Sequence, residues 1–167
     1  MVRPHDLYVI KSSNRDCLMA KKGRYVYEWP RPMVTVDAVV FLMSRAGPKV
    51  LLIKRAKEPF AGKWAFPGGF VEMDEELKDA VTRELTEETH LTGVKLEQMH
   101  TFGTCGRDPR GRQITIAFVG KVGPDNATLK AGDDAAEAKW FEIDQLPEMA
   151  FDHNEVAKMA IEKMRSE

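Results

Sequence analysis

Residues 69–91 read GFVEMDEELKDAVTRELTEETHL, and this stretch decides how the rest of the chain is read. No Pro or Gly interrupts Glu75 to Leu91, so the run predicts a helix of about four turns. Asp74 is the expected N-cap, and Glu75, Glu76 and Asp79 place negative charge near the positive end of the helix dipole. With Leu77 set at zero and about 100° per residue, Ala80, Val81 and Leu85 fall near −60°, +40° and +80°. On the same wheel Glu84, Glu87 and Glu88 fall at about −20°, −80° and +20°, inside the apolar sector and not opposite it.

The helix thus turns one face to the core in its first half and loads that face with three acids in its second. Carboxylates at this spacing are roughly 6 Å apart, and at an effective dielectric near 20 each pair repels by about 3 kcal/mol. A hard divalent ion with oxygen ligands, Mg²⁺ or Mn²⁺, would relieve that repulsion. Periodicity alone leaves a second reading open, in which a Glu-rich helix is simply solvated.

The preceding segment, Trp64 to Glu72, reads as a strand interrupted by Pro67-Gly68-Gly69. Two glycines there permit a tight turn and close backbone approach to a ligand. Together the two segments resemble the Nudix box, G-x5-E-x7-R-E-U-x-E-E-x-G-U with U aliphatic. Gly69, Glu75, Arg83, Glu84, Leu85, Glu87, Glu88 and Leu91 stand at the matching positions, and His90 stands where the family has Gly. His90 is therefore expected in a left-handed conformation just past the helix, at some cost; a role as an extra metal ligand is the alternative. The resemblance implies an α/β chain with the Nudix fold, a mixed β-sheet sandwiched between α-helices. It also implies a divalent ion held by Glu84, Glu87 and Glu88, with backbone of Gly69 in the metal shell and an Arg83–Glu75 ion pair fixing the acids.

The 167 residues suffice for one domain with a real core. A formal net charge of −1 gives no support for a nucleic-acid surface or an anionic membrane partner. There is no apolar run of membrane-spanning length and no signal-peptide pattern. Cys17 and Cys105 are isolated, which speaks against a zinc ribbon or a disulfide framework. A cytoplasmic protein with free thiols is the expectation.

Residues 1–33 read as an N-terminal extension to a domain at 34–167: an edge hairpin, a dimerisation arm in a homodimer, or one wall of a substrate pocket. Within it Leu7–Ile10 and Arg24–Trp29 have the character of short strands. Tyr27 and Trp29 either pack into the core or stack on a base. Val34–Met43 is nearly continuous in apolar residues, as a central strand would be, with Gly47-Pro48 as turn and Lys49–Arg55 as hairpin partner. Further strands are expected at Val94–Cys105, Gln113–Val122 and Ala136–Ile143. A last helix, carrying Val156, Met159, Ala160 and Lys163 at helical spacing, is capped by Asp152 or Asn154. His153 is either a helix-start residue or a substrate contact.

The turn Gly106–Arg112 holds Arg107, Arg110 and Arg112 around a Pro-Gly pair. Such a fork either binds phosphate or carboxylate bidentately or is a solvated basic turn. It is similar to the corresponding loop of the ADP-ribose pyrophosphatase branch of the Nudix family, as are residues 31–38 and 132–141. The resemblance implies Mg²⁺-dependent hydrolysis of a nucleoside diphosphate linked to another moiety, with ADP-ribose giving AMP and ribose 5-phosphate. Two alternatives stay open: hydrolysis of an oxidised nucleoside triphosphate, NADH or a dinucleoside polyphosphate, and a non-catalytic nucleotide sensor.

Overall fold

The computed structural model describes residues 28–131 and 135–166. The described residues form seven strands and two α-helices in the order β1 (Met33–Ser44), β2 (Gly47–Arg55), β3 (Trp64–Ala65), β4 (Gly68–Phe70), α1 (Leu77–Thr89), β5 (Glu97–Phe102), β6 (Gln113–Val122), β7 (Ala135–Glu142) and α2 (His153–Ser166). A single turn of 3₁₀ helix, Pro124–Asn126, lies between β6 and β7.

The apolar run of β1 makes it the centre of the sheet. One of its edges pairs in parallel with β6, from Met33 against Gln113 to Leu42 against Val122. The other edge is divided between two antiparallel partners, β2 at Phe41–Ser44 and β4 at Thr35–Asp37. β2 likewise gives one edge to β1 and then β3, and the other to β7. β5 closes the far side against β6 with a register shift between Gln98 and His100. The sheet is therefore mixed.

Alternation along β1 assigns its two faces. Val36, Ala38, Val40 and Leu42 pack with Ala80, Val81 and Leu85 of α1 and with Ile116 and Phe118 of β6. Val39 and Phe41 pack on the opposite face with Leu52, Phe66 and Val156, Ala157 and Ala160 of α2. A strand buried on both faces needs apolar residues at every position, and Thr35 and Asp37 are the exceptions within the run. The sheet lies between the two helices as the Nudix resemblance implied.

Several boundaries differ from the sequence reading. α1 begins at Leu77, its N-cap is Glu76 in an extended conformation, and no side chain caps it. Asp74 is not the cap and Glu75 is not helical, because the Glu75 carboxylate is held in the preceding loop by Arg83 and by the Glu72 N–H. The strand expected over Val94–Cys105 contracts to Glu97–Phe102, since the chain turns at Thr104, whose carbonyl accepts from the Arg107 N–H. Gln113–Val122 has the expected bounds, and β7 is displaced by one residue. His90 adopts the left-handed conformation, φ 57° and ψ 13°, with its N–H donating to Thr86 O. Leu7–Ile10, Tyr27 and most of the expected strand at Arg24–Trp29 lie outside the described residues; Glu28 and Trp29 are described and are not in a strand.

The docking of α1 on the sheet is testable. Leu85 is fully buried between β1, β6 and α1, so Leu85→Ala should lower stability by about 3 kcal/mol. Urea unfolding measures this, and a loss below about 1 kcal/mol would contradict the packing.

Candidate active site

The N-terminal half of β1, the start of β6, β4 and the second half of α1 enclose a cleft of about 860 Å³. Its construction begins with the two glycines of β4. Gly68 and Gly69 pair with Asp37 and Val36 of β1, while α1 presses on them from the other side. A Cβ on Gly69 would stand 2.6 Å from Glu84 Oε2 and nearer still to Oε1, and one on Gly68 would stand 2.6 Å from Asp37 Oδ1. The missing side chains let acids from a helix and an acid from the sheet enter one space.

Arg83 organises the helix side. Its Nε donates to Glu75 Oε2 at 3.0 Å and its Nη2 to Glu75 Oε1 at 2.7 Å. Nη1 donates to Glu84 Oε1 at 2.8 Å and to Glu87 Oε2 at 3.2 Å, and Nη2 also reaches Phe70 O at 3.1 Å. The resemblance implied a pair of Arg83 with Glu75; the guanidinium in fact ties together Glu75, Glu84 and Glu87. It thereby supplies part of the compensating charge that the repulsion argument gave wholly to a metal ion.

Burial grades the three box acids. Glu87 is exposed, Glu84 is half-buried, and Glu88 is 9% exposed. Burial raises the Glu84 carboxyl above its ordinary value despite the Arg83 hydrogen bond. Burial also pushes Glu88 up to about 8, against the opposing effect of the Gly68 N–H, which donates to Glu88 Oε2 at 3.0 Å. On the sheet side Asp37 is pushed up to about 7, by burial first, while Arg107 pulls it down. His153, at the start of α2, is pushed down to about 3 by burial and is therefore neutral. Its Nδ1 accepts from the Phe66 N–H at 3.0 Å, so its proton sits on Nε2, 3.4 Å from Asp37 Oδ2.

The turn arginines separate into three roles. Arg107, its side chain 4% exposed, forks onto Asp152 at 2.8 and 2.6 Å and also donates to Thr115 Oγ1. Arg110 forks onto Asp108 and lies over the rings of Phe70 and Phe151, at 5.3 and 5.6 Å. Both line the cleft, as does Arg55 from β2, stacked 5.0 Å over Phe151. Arg112 instead donates to Gly103 O and Gln113 O and does not line the cleft. Trp29 is 73% exposed and does not line it either, and Tyr27 lies outside the described residues. His90 points to Lys130 O, away from the cleft.

Asp37, Arg55, Asp108, Gln113 and Asp152 were not singled out from sequence. A charge in the middle of an apolar strand was the available signal for Asp37, and polar residues alternating in Gln113-Ile114-Thr115 were the signal for Gln113. Asp152 carried none beyond its place before a helix.

Of the expected metal ligands, Glu84, Glu88 and Gly69 line the cleft, where the two carboxylates could take a cation; Glu87 is exposed and does not line it. This hard, all-oxygen set suits Mg²⁺ or Mn²⁺. Among the described residues no three acidic, His or Cys side chains converge closely enough to form a ready cage. Mg²⁺ does not require one, since it keeps several waters and takes substrate phosphates as ligands alongside one or two carboxylates. Desolvated carboxyls held above their ordinary values are the groups such an ion would stabilise in ionised form.

That competition has a sign. Asp37 and Glu88 bind protons more tightly in the folded chain than at their ordinary values of 3.8 and 4.5. Their contribution to stability is therefore fully present below those values and lost as pH rises through about 7 and about 8. Mg²⁺ competes with protons at this site, so its stabilisation should be larger near pH 8 than near pH 5.5. Thermal melts with and without millimolar Mg²⁺ at both pH values, run alone and with nucleotide, measure it; equal shifts, or none under either condition, would contradict the site.

Comparison with known proteins agrees with this geometry. A sequence model of the NUDIX domain matches residues 32–161. An ADP-ribose pyrophosphatase from Methanocaldococcus jannaschii is 43% identical over 127 residues, covering 76% of this chain and 72% of that protein. An ADPR responsive transcriptional repressor, NtrR, from Acinetobacter baylyi is 30% identical over 143 residues, covering 83% of this chain and 57% of the repressor. Among solved structures, the NUDIX domain of Shewanella oneidensis NrtR complexed with ADP ribose superposes with a TM-score of 0.75 at 32% identity, covering 81% of this chain and 90% of that one. With a family model spanning most of its length and Gly69, Arg83, Glu84 and Glu88 of the box lining one cleft, this chain belongs to the Nudix family of pyrophosphohydrolases.

Proposed function

We propose that this Nudix hydrolase cleaves the pyrophosphate of ADP-ribose, with Mg²⁺ or Mn²⁺, to give AMP and ribose 5-phosphate. The observation that carries the reading is one cleft lined both by the α1 carboxylates Glu84 and Glu88 and by Arg55, Arg107 and Arg110. A pyrophosphate needs both, a cation site to draw off charge at the reacting phosphorus and fixed donors for its remaining oxygens. The 43% identical ADP-ribose pyrophosphatase supports the choice of substrate.

Glu84, Glu87 and Glu88, with the Gly69 carbonyl, would hold the ion. When bound, a divalent ion neutralises pyrophosphate charge and makes an attacking water more acidic. The chain's own residues do the rest. Arg83 holds Glu84 and Glu87 in register and is itself locked by Glu75. The Gly68 N–H fixes Glu88. Arg110, 37% exposed at its side chain and set between two aromatic rings, offers a guanidinium to a passing phosphate. Water adds to one phosphorus, the bridging P–O bond breaks, and the departing phosphate leaves with its sugar.

A second reading has a specific observation behind it. Two of the similar proteins are a repressor that responds to ADPR and a related NUDIX domain complexed with ADP ribose, so the cleft would serve as a sensor of the same ligand. A sensor has no need of every box acid, and all of them are present here.

Catalysis separates the two. Glu87→Gln and Glu88→Gln should each lower kcat/KM on ADP-ribose by about a hundredfold or more while leaving the fold intact, the scale of losing several kcal/mol at the transition state. The wild-type chain is compared on ADP-ribose, NADH and an oxidised nucleoside triphosphate under the same Mg²⁺. A tenfold preference for either competitor would overturn the substrate, and near-normal turnover in either variant would overturn the metal site. Tight ADP-ribose binding with no turnover would favour the sensor.

A further inference from the structure

A polar chain, whose members Thr35, Thr115 and Gln113 take no part in the hydrolytic chemistry, lines the cleft. It is built on the parallel pairing of β1 with β6, where Thr35 lies opposite Thr115. The ion pair of Arg107 with Asp152 anchors one end. Arg107 donates to Thr115 Oγ1, which shares a hydrogen bond of 2.7 Å with Thr35 Oγ1. Gln113 Nε2 donates to Thr35 Oγ1 at 2.8 Å. The chain ends at the other atom of that amide. Gln113 Oε1 is buried with no hydrogen-bond partner among the described residues, on a side chain that lines the cleft and belongs to a residue 7% exposed.

A buried carbonyl oxygen without a donor is costly, and a native fold keeps few of them. This one is also held in place, because its amide nitrogen is committed to Thr35 and Thr35 is fixed through Thr115 to an ion pair. An acceptor with a fixed direction discriminates well. A ligand that brings an N–H or O–H to it gains a hydrogen bond in a desolvated site, whereas one that brings a carbonyl sets two acceptors face to face.

We propose that Gln113 is a specificity-determining residue of this cleft, its Oε1 accepting a hydrogen bond from a donor on the nucleotide, either the exocyclic amine of the base or a ribose hydroxyl. The inference rests on the cleft being a nucleotide site but not on ADP-ribose being its substrate. It adds to the metal and arginine walls, which read charge, a contact that reads a neutral group.

The test pairs substrate analogues with Gln113→Met, which keeps length and removes the acceptor. kcat/KM is measured for ADP-ribose, for its hypoxanthine counterpart, in which the amine is a carbonyl, and for the analogue lacking the 2′-hydroxyl of the adenosine ribose. NADH and deamino-NADH are run in parallel, so that failure of the ADP-ribose assignment is seen separately from failure of the Gln113 contact. In the wild type, loss of the matching donor should cost about tenfold or more, and in Gln113→Met the same change should cost less than about threefold. Coupling to the amine names the base as donor; coupling to the hydroxyl names the sugar. If wild type and variant penalise every analogue equally, the amide serves only to join β1 to β6 and the proposal is overturned. Should Gln113→Met fail to fold, the wild-type series decides alone, since an enzyme indifferent to both donors would likewise overturn it.

Discussion

Acids from α1 reach the sheet because Gly68 and Gly69 carry nothing in their way. Every other feature of the cleft depends on that close approach. The glycines pair with β1 at Val36 and Asp37, and the Glu84 carboxylate occupies the volume a Gly69 side chain would need. Glu88 takes the Gly68 N–H. The approach brings desolvated carboxyls together, and the fold offsets part of their repulsion with one guanidinium. Arg83 is partly buried and contacts Glu75, Glu84 and Glu87, with its charged form stabilised above all by Glu75. The remaining charge is what a divalent ion and its phosphate ligand would complete.

The layering explains where the cleft opens. β1 is covered by α1 on one face and α2 on the other, and its odd-numbered residues from Thr35 to Phe41 run from polar to apolar along the α2 side. Thr35 and Asp37, with Gln113 and Thr115 on the neighbouring strand, form a floor just where α2 begins at His153. The neutral His153 ring stacks on Phe66 and bonds its backbone N–H, tying the start of α2 to the segment that leads into the glycines. The same few residues thus join both helices to the central strand and line the site.

What the sequence revealed follows the range of the interactions involved. α1 and its acid-bearing face were legible because they depend on spacing within one turn or two, and the left-handed His90 because it stands where the resembled family has Gly. β6 was legible from end to end because alternation and flanking residues agree there. The start of α1 was misplaced although the Arg83–Glu75 pair was expected, because helical spacing does not show that the pair holds Glu75 out of the helix. The cleft floor was not legible: Thr35 meets Thr115 across 80 positions, and Gln113 meets Thr35 across 78. Only the parallel register of β1 and β6 brings them together. The three turn arginines looked equivalent in sequence, yet Asp152 takes one inward, Asp108 holds another at the cleft, and two backbone carbonyls turn the third away.

A crystal structure with Mn²⁺ and a non-hydrolysable ADP-ribose analogue decides whether the acids admitted by Gly68 and Gly69 hold a divalent ion against a nucleotide pyrophosphate. Anomalous density is expected in contact with carboxylate oxygens of Glu84, Glu87 or Glu88 and with the analogue's pyrophosphate, with Arg110 beside it. Manganese bound elsewhere, or an analogue seated outside the cleft, would contradict that arrangement.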